Sequence, residues 1–380
     1  MKVLLVGNYP GDRQESMRRY ADLLLEQLQL RGYDVTQLVP PVVLSRLVPS
    51  SSPLHKWLGY IDKFVLFRPA LRRAARSADI VHICDHSNSM YVPVVRHMPH
   101  LITCHDILAI RSALGHFPEN SVSISGRLFQ RLIAHALKRA STIVCISGKT
   151  RDDLVDYLDI PPERLQVVHS SLHWPYAPVA PKRTAAVLEE LDIPAGRPFF
   201  FHVGAHWYKN RFAVLRIFAA LRDQPGLSQA LLVMTAGPWP PEFQRFLEEH
   251  ALSTEVRTVD NPTNAQLEAL YSGAHAFIFP SRAEGFGWPI LEAQACGCPV
   301  AVPDRPPMNV IAGKAAILID AENPSEAATS IARALADRGA IRQAGFENVK
   351  RFTPEQMTSA YIGLYRRQIA DHRCQAIKKS

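Results

Sequence analysis

Apolar runs of strand length alternate with longer helical or irregular segments along the chain, and that alternation admits few folds besides parallel sheets covered by helices. The pattern opens with residues 3–6, then residues 16–30 with Leu23, Leu24, Leu28 and Leu30 as the apolar stripe, then residues 35–39. Arg31-Gly32 supplies the helix stop. Further runs at 80–84, 101–104, 143–146 and 166–169 continue the series. It breaks after Ser170, where Pro175, Pro178 and Pro181 crowd together, and restarts with runs at 198–203, 230–235, 255–259, 275–279, 299–302 and 316–319. The expectation is two doubly wound α/β domains. The first spans residues 1–172, a linker covers 173–183, and the second spans 184–360. Residues 361–380 read as a C-terminal helix and basic tail free to pack back on the N-terminal domain, and the Pro- and Ser-rich stretch 40–53 reads as a surface loop.

A length of 380 residues gives each domain enough chain for its own core. With 47% hydrophobic and 21% charged residues the chain is no disordered polymer, and no apolar run approaches the roughly 18 to 20 residues that span a bilayer. Residues 1–6 run straight into a strand without the features of a signal peptide. A cytoplasmic location is expected, with peripheral contact at the inner membrane face as an option. Cys84, Cys104 and Cys145 sit in apolar runs as small hydrophobes, and Cys296-Gly297-Cys298 has no second pair at metal spacing, so no zinc site is expected and a reducing compartment fits. The net charge of +8 is lopsided: up to Ala180 there are 21 Lys and Arg against 15 Asp and Glu, so +6 falls there and +2 in the remainder. Arg68, Arg72, Arg73 and Arg76, and Arg127, Arg131, His135 and Lys138, recur near helical spacing. They would suit an anionic membrane surface or a phosphorylated acceptor, while a solvated helix face is the plainer account. No recognition module accompanies the charge, so nucleic acid is not an expected partner.

Ligands of doubly wound sheets bind at the carboxyl ends of the strands, and with two sheets the natural place is the cleft between them. The most informative segment follows the run at 275–279: Pro280-Ser281-Arg282-Ala283-Glu284-Gly285-Phe286-Gly287-Trp288-Pro289-Ile290-Leu291-Glu292-Ala293, continuing to Gly297-Cys298-Pro299-Val300. Pro289 is a good first helical residue, and Gly285 and Gly287 would let a ligand approach the backbone NH groups of that helix start. Those amides suit a diphosphate. Glu292 then falls near the first turn, placed to accept hydrogen bonds from a ribose diol, and Glu284 belongs to the loop, within reach of a sugar. The bland alternative is that both are acids favoured by the helix dipole.

Glu-Gly-Phe-Gly, a proline, Glu-Ala and Gly-Cys-Pro-Val together resemble the signature of retaining nucleotide-sugar glycosyltransferases of family 4, also called glycosyl transferases group 1. The resemblance implies the GT-B fold, two Rossmann-like domains facing a cleft, with the donor held by the second and the acceptor by the first. It makes Ser281, Gly285, Phe286, Gly287 and Glu292 donor contacts, and His105, Lys209 and Glu284 catalytic residues. His202-Val203-Gly204-Ala205-His206-Trp207-Tyr208-Lys209-Asn210-Arg211 resembles the family's glycine turn and Lys-Asn motif, where Gly204 admits the diphosphate and Lys209 neutralises it. The arginine that often follows that glycine is replaced by Ala205 and His206, leaving Arg211 as the candidate substitute. Residues 260–271 resemble the segment flanking the base, and residues 312–316 a later family loop. In the first half, Thr103-Cys104-His105-Asp106 resembles the setting of a histidine beside the transferred sugar, with Asp106 orienting the ring or capping the next helix. Residues 146–151 resemble the family's Ser-x-x-Thr segment.

The first loop departs most, because its glycines, Gly7 and Gly11, are separated where the family often pairs them. Nor is it Gly-x-Gly-x-x-Gly, which removes support for a nicotinamide domain. Gly11, Asp85, His86 and Asp106 are acceptor-side candidates, a polar turn being the other reading of Asp85-His86. No Asp-x-Asp occurs, so charge on the leaving group is expected to fall to Lys209 and helix amides. The expected reaction is transfer of a hexose from a UDP- or GDP-linked donor to an acceptor hydroxyl, with retention and without an obligatory metal or other cofactor. The acceptor class stays open among a lipid-linked glycan, a polysaccharide and a small molecule. A GT-B sugar-nucleotide epimerase and a non-catalytic sugar-nucleotide-binding partner subunit remain as alternatives.

Overall fold

In the computed structural model, residues 1–377 are described except 13, 195, 236 and 238, so the basic tail at Lys378-Lys379 lies outside the described residues. Each of the twelve apolar runs forms a strand: β1 (Lys2–Val6), β2 (Asp34–Leu38), β3 (Ile80–Ile83), β4 (His100–Cys104), β5 (Ile143–Cys145), β6 (Leu165–Val167), β7 (Phe199–His202), β8 (Leu231–Thr235), β9 (Val256–Val259), β10 (Ala276–Ile278), β11 (Val300–Pro303) and β12 (Ala316–Ile319). They build two six-stranded parallel sheets, in the orders β2-β1-β3-β4-β5-β6 and β12-β11-β10-β7-β8-β9. Central strands such as β3, β4, β7 and β8 are buried along their whole length, as parallel strands covered on both faces must be. Among the described residues no helix is long and apolar enough to cross a membrane.

The fold divides into two units, one of residues 1–173 with residues 354–380, the other of residues 174–353. The helix Pro181–Glu190 begins inside the stretch read as linker. At the other end, the division read at residue 360 falls within a single helix, Pro354–Ile377, because the apolar positions Met357, Tyr361, Ile362, Leu364 and Tyr365 run through it without interruption. These five pack with Val3, Leu5, Tyr20, Leu24 and Ile80 of the first unit. A polar ladder accompanies them: His82 Nδ1 meets the Tyr365 hydroxyl at 2.7 Å, His82 Nε2 meets Thr103 Oγ1 at 2.8 Å, and the Tyr20 hydroxyl donates to that of Tyr361. Burying five such side chains contributes on the order of 10 kcal/mol, comparable to the whole stability of a domain. A chain ended at residue 353 is therefore expected to lose the cooperative unfolding transition of the first unit while keeping that of the second. Two transitions at their full-length midpoints would contradict this.

The first helix, Glu15–Leu30, buries Tyr20, Ala21, Leu24 and Leu28. Leu30, read as part of the stripe, is exposed, because it lies more than a hundred degrees round the helix from that face. The loop read over 40–53 is irregular apart from one short turn at Ser45–Leu47, yet it is firmly held. The buried Asp62 carboxylate accepts the backbone NH groups of Val43, Leu44 and Ser45 at 3.2, 2.8 and 3.1 Å and the Tyr9 hydroxyl at 3.0 Å. Burial alone would raise its pKa, but these donors outweigh it and hold the carboxyl below its usual range.

Candidate active site

In the second sheet the chain builds outward from β7 to β9, then returns to the other side of β7 for β10. The loops leaving β7 and β10 therefore part at the switch point, where doubly wound sheets open a crevice. After β7, Gly204 turns the chain at φ 105°, and its NH donates to Thr235 Oγ1 at the end of β8, 3.0 Å away. A Cβ at Gly204 would stand 3.0 Å from Lys209 Cε, so only glycine lets the lysine stem lie across the turn. The loops are stitched together, with Asn210 Nδ2 donating to the Pro280 carbonyl at 3.2 Å and the Arg282 NH to the Tyr208 carbonyl at 2.8 Å.

That stitching brings Lys209 Nζ to 2.8 Å from Glu284 Oε1, with the side chains only 10% and 9% exposed. The ammonium also lies 4.5 Å from the centre of the Phe279 ring. A buried pair of this kind adds little net stability once desolvation is counted. What it provides is a cation and a carboxylate held together at the carboxyl ends of β7 and β10.

Gly287, at φ 103°, leads into the helix Trp288–Ala295. The helix starts at Trp288, with Pro289 second, one residue earlier than read. Glu292 is accordingly fifth and sits in the second turn. It is buried, and its Oε2 accepts the Tyr271 hydroxyl at 2.9 Å. Burial, then the Glu292 charge, hold the pKa of that phenol well above its ordinary value, so it stays a neutral donor. Tyr271 was missed as a site residue; its only signal was its place at the end of the 260–271 segment.

The remaining donor-side candidates divide. Ser281 is fully buried, and among the described residues its Oγ has no hydrogen-bond partner. Phe286 packs edge-on against Trp288 and Phe352 at 5.9 and 5.7 Å, so it anchors the loop in the core. The Arg211 guanidinium lies over the rings of Trp239 and Phe243, at 5.2 and 5.3 Å, and burial lowers its pKa. His202 donates Nδ1–H to the Ile278 carbonyl at 2.8 Å; burial first, then Lys209 and Arg211, push its pKa down to about 4 despite that bond, so the ring is neutral.

In the first sheet the switch point lies between β1 and β3, and the loops following both strands meet there. Asn8, just after β1, donates to the buried Asp85 carboxylate just after β3. Asp85 also accepts the Ser87 NH at 3.1 Å and the Ser87 hydroxyl at 2.6 Å, and His86 Nδ1 lies 3.1 Å from it. Burial opposes ionisation of Asp85, but His86 and Ser87 outweigh it and hold the carboxyl well below the usual range. The pKa of His86 is raised, because Asp85 and Asp106 more than offset its burial. His105, just after β4, is buried; its Nε2 meets the Cys84 carbonyl at 2.9 Å and its ring stands edge-on to Tyr20 at 4.7 Å. Burial keeps it neutral, and a neutral ring facing a carbonyl carries its proton on Nε2. Asp106 Oδ1 accepts the Leu108 NH at 2.8 Å and caps the next turn. Gly11 lies in the short turn Pro10–Asp12, where a Cβ would stand 2.5 Å from the Tyr9 ring.

Among the described residues no group of three or more His, Cys, Asp or Glu is placed to hold a metal ion. The cysteines are free thiols, five buried and Cys374 exposed. Arg72, Arg73 and Arg76, and Arg127, Arg131, His135 and Lys138, face solvent.

Comparison with known proteins agrees with this architecture. Residues 185–351 match the family "Glycosyl transferases group 1" and residues 17–172 match "Glycosyltransferase Family 4". The chain is 22% identical over 311 residues to the O-antigen chain mannosyltransferase B of Escherichia coli, covering 80% of each protein. It is 25% identical to a D-inositol 3-phosphate glycosyltransferase of Salinispora tropica, over 73% of this chain and 60% of that one. Among solved structures, the sucrose-phosphate synthase of Thermosynechococcus elongatus superposes with a TM-score of 0.73 at 19% identity, over 98% of this chain and 100% of that one. With its two parallel sheets and both halves matched, the chain belongs to the GT-B glycosyltransferases of family 4, group 1.

Proposed function

We propose that this glycosyltransferase moves a hexose from a nucleoside diphosphate sugar to an acceptor hydroxyl in glycan assembly, with retention of configuration and without an obligatory metal ion. The observation that carries the reading is the buried Lys209–Glu284 pair at the β7/β10 switch point, beside the start of the helix Trp288–Ala295. A diphosphate there meets an ammonium and a helix N-terminus, which together stabilise charge as it develops on the leaving group. Glu284 takes hydroxyls of the transferred sugar, and Glu292, pinned by Tyr271, takes the ribose diol. The bond from the anomeric carbon to the leaving phosphate oxygen breaks, and the acceptor oxygen bonds to the same face of that carbon. The departing phosphate oxygen receives the acceptor proton. The resemblance gives His105, which is neutral, the role of a polar partner of the transferred sugar rather than of an acid or base. We further place the solvent-facing arginines of the first unit at an anionic membrane surface, which supports a cytoplasmic, peripheral protein.

The test is anomer analysis of the product by NMR after incubation with α-linked UDP- and GDP-hexoses, with and without EDTA. An α-linked product formed at the same rate in EDTA is the expected result. A β-linked product would remove retention from the proposal, and loss of activity in EDTA that magnesium restores would remove metal independence.

A further inference from the structure

Five buried polar groups in the first unit form one hydrogen-bonded circuit, and none of them has a part in the reaction described above. Tyr20 comes from the first helix, His82 from β3, Thr103 from β4, and Tyr361 and Tyr365 from the helix Pro354–Ile377. Each is at most 2% exposed. Thr103 Oγ1 is the hub, lying 2.8 Å from His82 Nε2, 2.9 Å from the Tyr361 hydroxyl and 3.2 Å from that of Tyr20. The Tyr20 hydroxyl donates to that of Tyr361, and His82 Nδ1 meets the Tyr365 hydroxyl at 2.7 Å.

The protons of the circuit can be placed. Burial raises the pKa of all three phenols and keeps His82 neutral, so five groups hold five exchangeable protons for five hydrogen bonds. Once the Tyr20 proton goes to Tyr361, only one arrangement fills every bond. Tyr361 donates to Thr103, Thr103 to Tyr20, His82 Nε2 to Thr103, and Tyr365 to His82 Nδ1. Tyr20, Thr103 and Tyr361 thus close a triangle in which each hydroxyl both donates and accepts. A fully satisfied buried network of this kind is rigid, and deleting one member leaves another without a partner.

The triangle borders the candidate active site. Thr103 precedes His105 by two residues at the end of β4, and the rings of Tyr20 and His105 stand perpendicular with their centres 4.7 Å apart. On its other side His105 Nε2 donates to the carbonyl of Cys84, the residue that follows β3. The imidazole is therefore held by that carbonyl and by a tyrosine whose own hydroxyl is anchored on Thr103 and on Tyr361, a residue 341 positions further along the chain. No residue of the Lys209–Glu284 site belongs to the circuit.

We propose that Tyr20, Thr103 and Tyr361 are positioning residues for sugar transfer, fixing the His105 ring in the orientation in which it meets the transferred sugar. This inference rests on the transferase reading, which gives His105 that contact. Tyr361→Phe is the informative change. It keeps the ring that stacks on His82 at 5.0 Å, yet the protons of Tyr20, Thr103, His82 and Tyr365 then have only three bonds to fill, and Tyr20 loses an anchor. Tyr365→Phe is the control, because it deletes a hydroxyl of the same helix that reaches Tyr20 only through His82 and Thr103.

The test combines kinetics with NMR on the full chain. Release of nucleoside diphosphate from UDP- and GDP-hexoses is measured for the wild type, Tyr361→Phe, Tyr365→Phe, His105→Asn and the double variant Tyr361→Phe/His105→Asn. Imidazole signals of the 15N-histidine-labelled proteins are recorded alongside, with those of His105 assigned from His105→Asn, and thermal melts report stability. Tyr361→Phe is expected to lower kcat about tenfold with donor KM little changed, and to shift the His105 signals. Tyr365→Phe should lose comparable stability while moving kcat and the His105 signals much less. In the His105→Asn background Tyr361→Phe should have no further effect on kcat, because the hydroxyl acts through that ring. Unshifted His105 signals in Tyr361→Phe, equal kcat losses in the two phenylalanine variants, or the same loss with and without His105 would overturn the positioning role and leave the transferase reading intact. Wild-type kcat in His105→Asn would instead remove His105 from the reaction, and the positioning role with it.

Discussion

Replacing Lys209 by alanine is expected to lower turnover about a thousandfold, the effect of deleting one preorganised charge that stabilises a leaving group. The reason lies in the pair it forms with Glu284, 2.8 Å away and nine-tenths buried. Water does not take over the role of a cation in such a place. The substitution also leaves the Glu284 carboxylate buried without its partner, so part of the loss would appear as lower stability. Glu284→Gln separates the two effects, because it keeps the shape and leaves only the ammonium to be accommodated. It is expected to fold normally and to lose a hundredfold or more in kcat. If the two side chains act as one unit, the double variant should be little worse than the worse single one. Steady-state kinetics with thermal melts of the three variants check this, and near-wild-type turnover in properly folded Lys209→Ala would refute the assignment.

Much of this arrangement is legible in the amino-acid sequence. Buried parallel strands must be short apolar runs, and all twelve show as such, from residues 3–6 to residues 316–319. The Lys209 and Glu284 segments were legible through their resemblance to the family's motifs, whose glycines Gly204 and Gly287 stand at positive φ in the fold. What stayed hidden depends on strand order. The contacts of Gly204 with Thr235, of Glu292 with Tyr271 and of Asn8 with Asp85 join loops far apart in sequence, and no periodicity encodes them. The stretch 40–53 looked patternless for a related reason. Its order comes from hydrogen bonds to the one carboxylate of Asp62 rather than from an apolar face. Arg211 illustrates the converse: a charge placed correctly beside the Lys-Asn motif faces the rings of Trp239 and Phe243.

The second large effect is on stability below pH 6.5, and it comes from histidines buried without charge. Burial pushes the pKa of His82 down to about 3 and that of His202 to about 4, one in each unit, and both are fully shielded from solvent. In the unfolded chain each titrates near 6.5, so between that value and the folded pKa the unfolded state binds the extra proton. Stability must therefore fall as pH falls, by about 1.4 kcal/mol per pH unit for each residue, and by about 2 kcal/mol each at pH 5 relative to pH 7.5. In the first unit His100 and His105 shift the same way and His86 the opposite way, because Asp85 and Asp106 favour its charged form, so the contributions there partly cancel. Asp85, held below the usual carboxylate range, adds loss only at still lower pH. The second unit gives the cleaner measurement. His202→Gln retains a donor for the Ile278 carbonyl and removes the titration. Denaturant unfolding at pH 7.5 and pH 5 should show that variant losing about 2 kcal/mol less than the wild type in the second unit's transition, whereas equal losses would mean that His202 is not neutral in the folded protein.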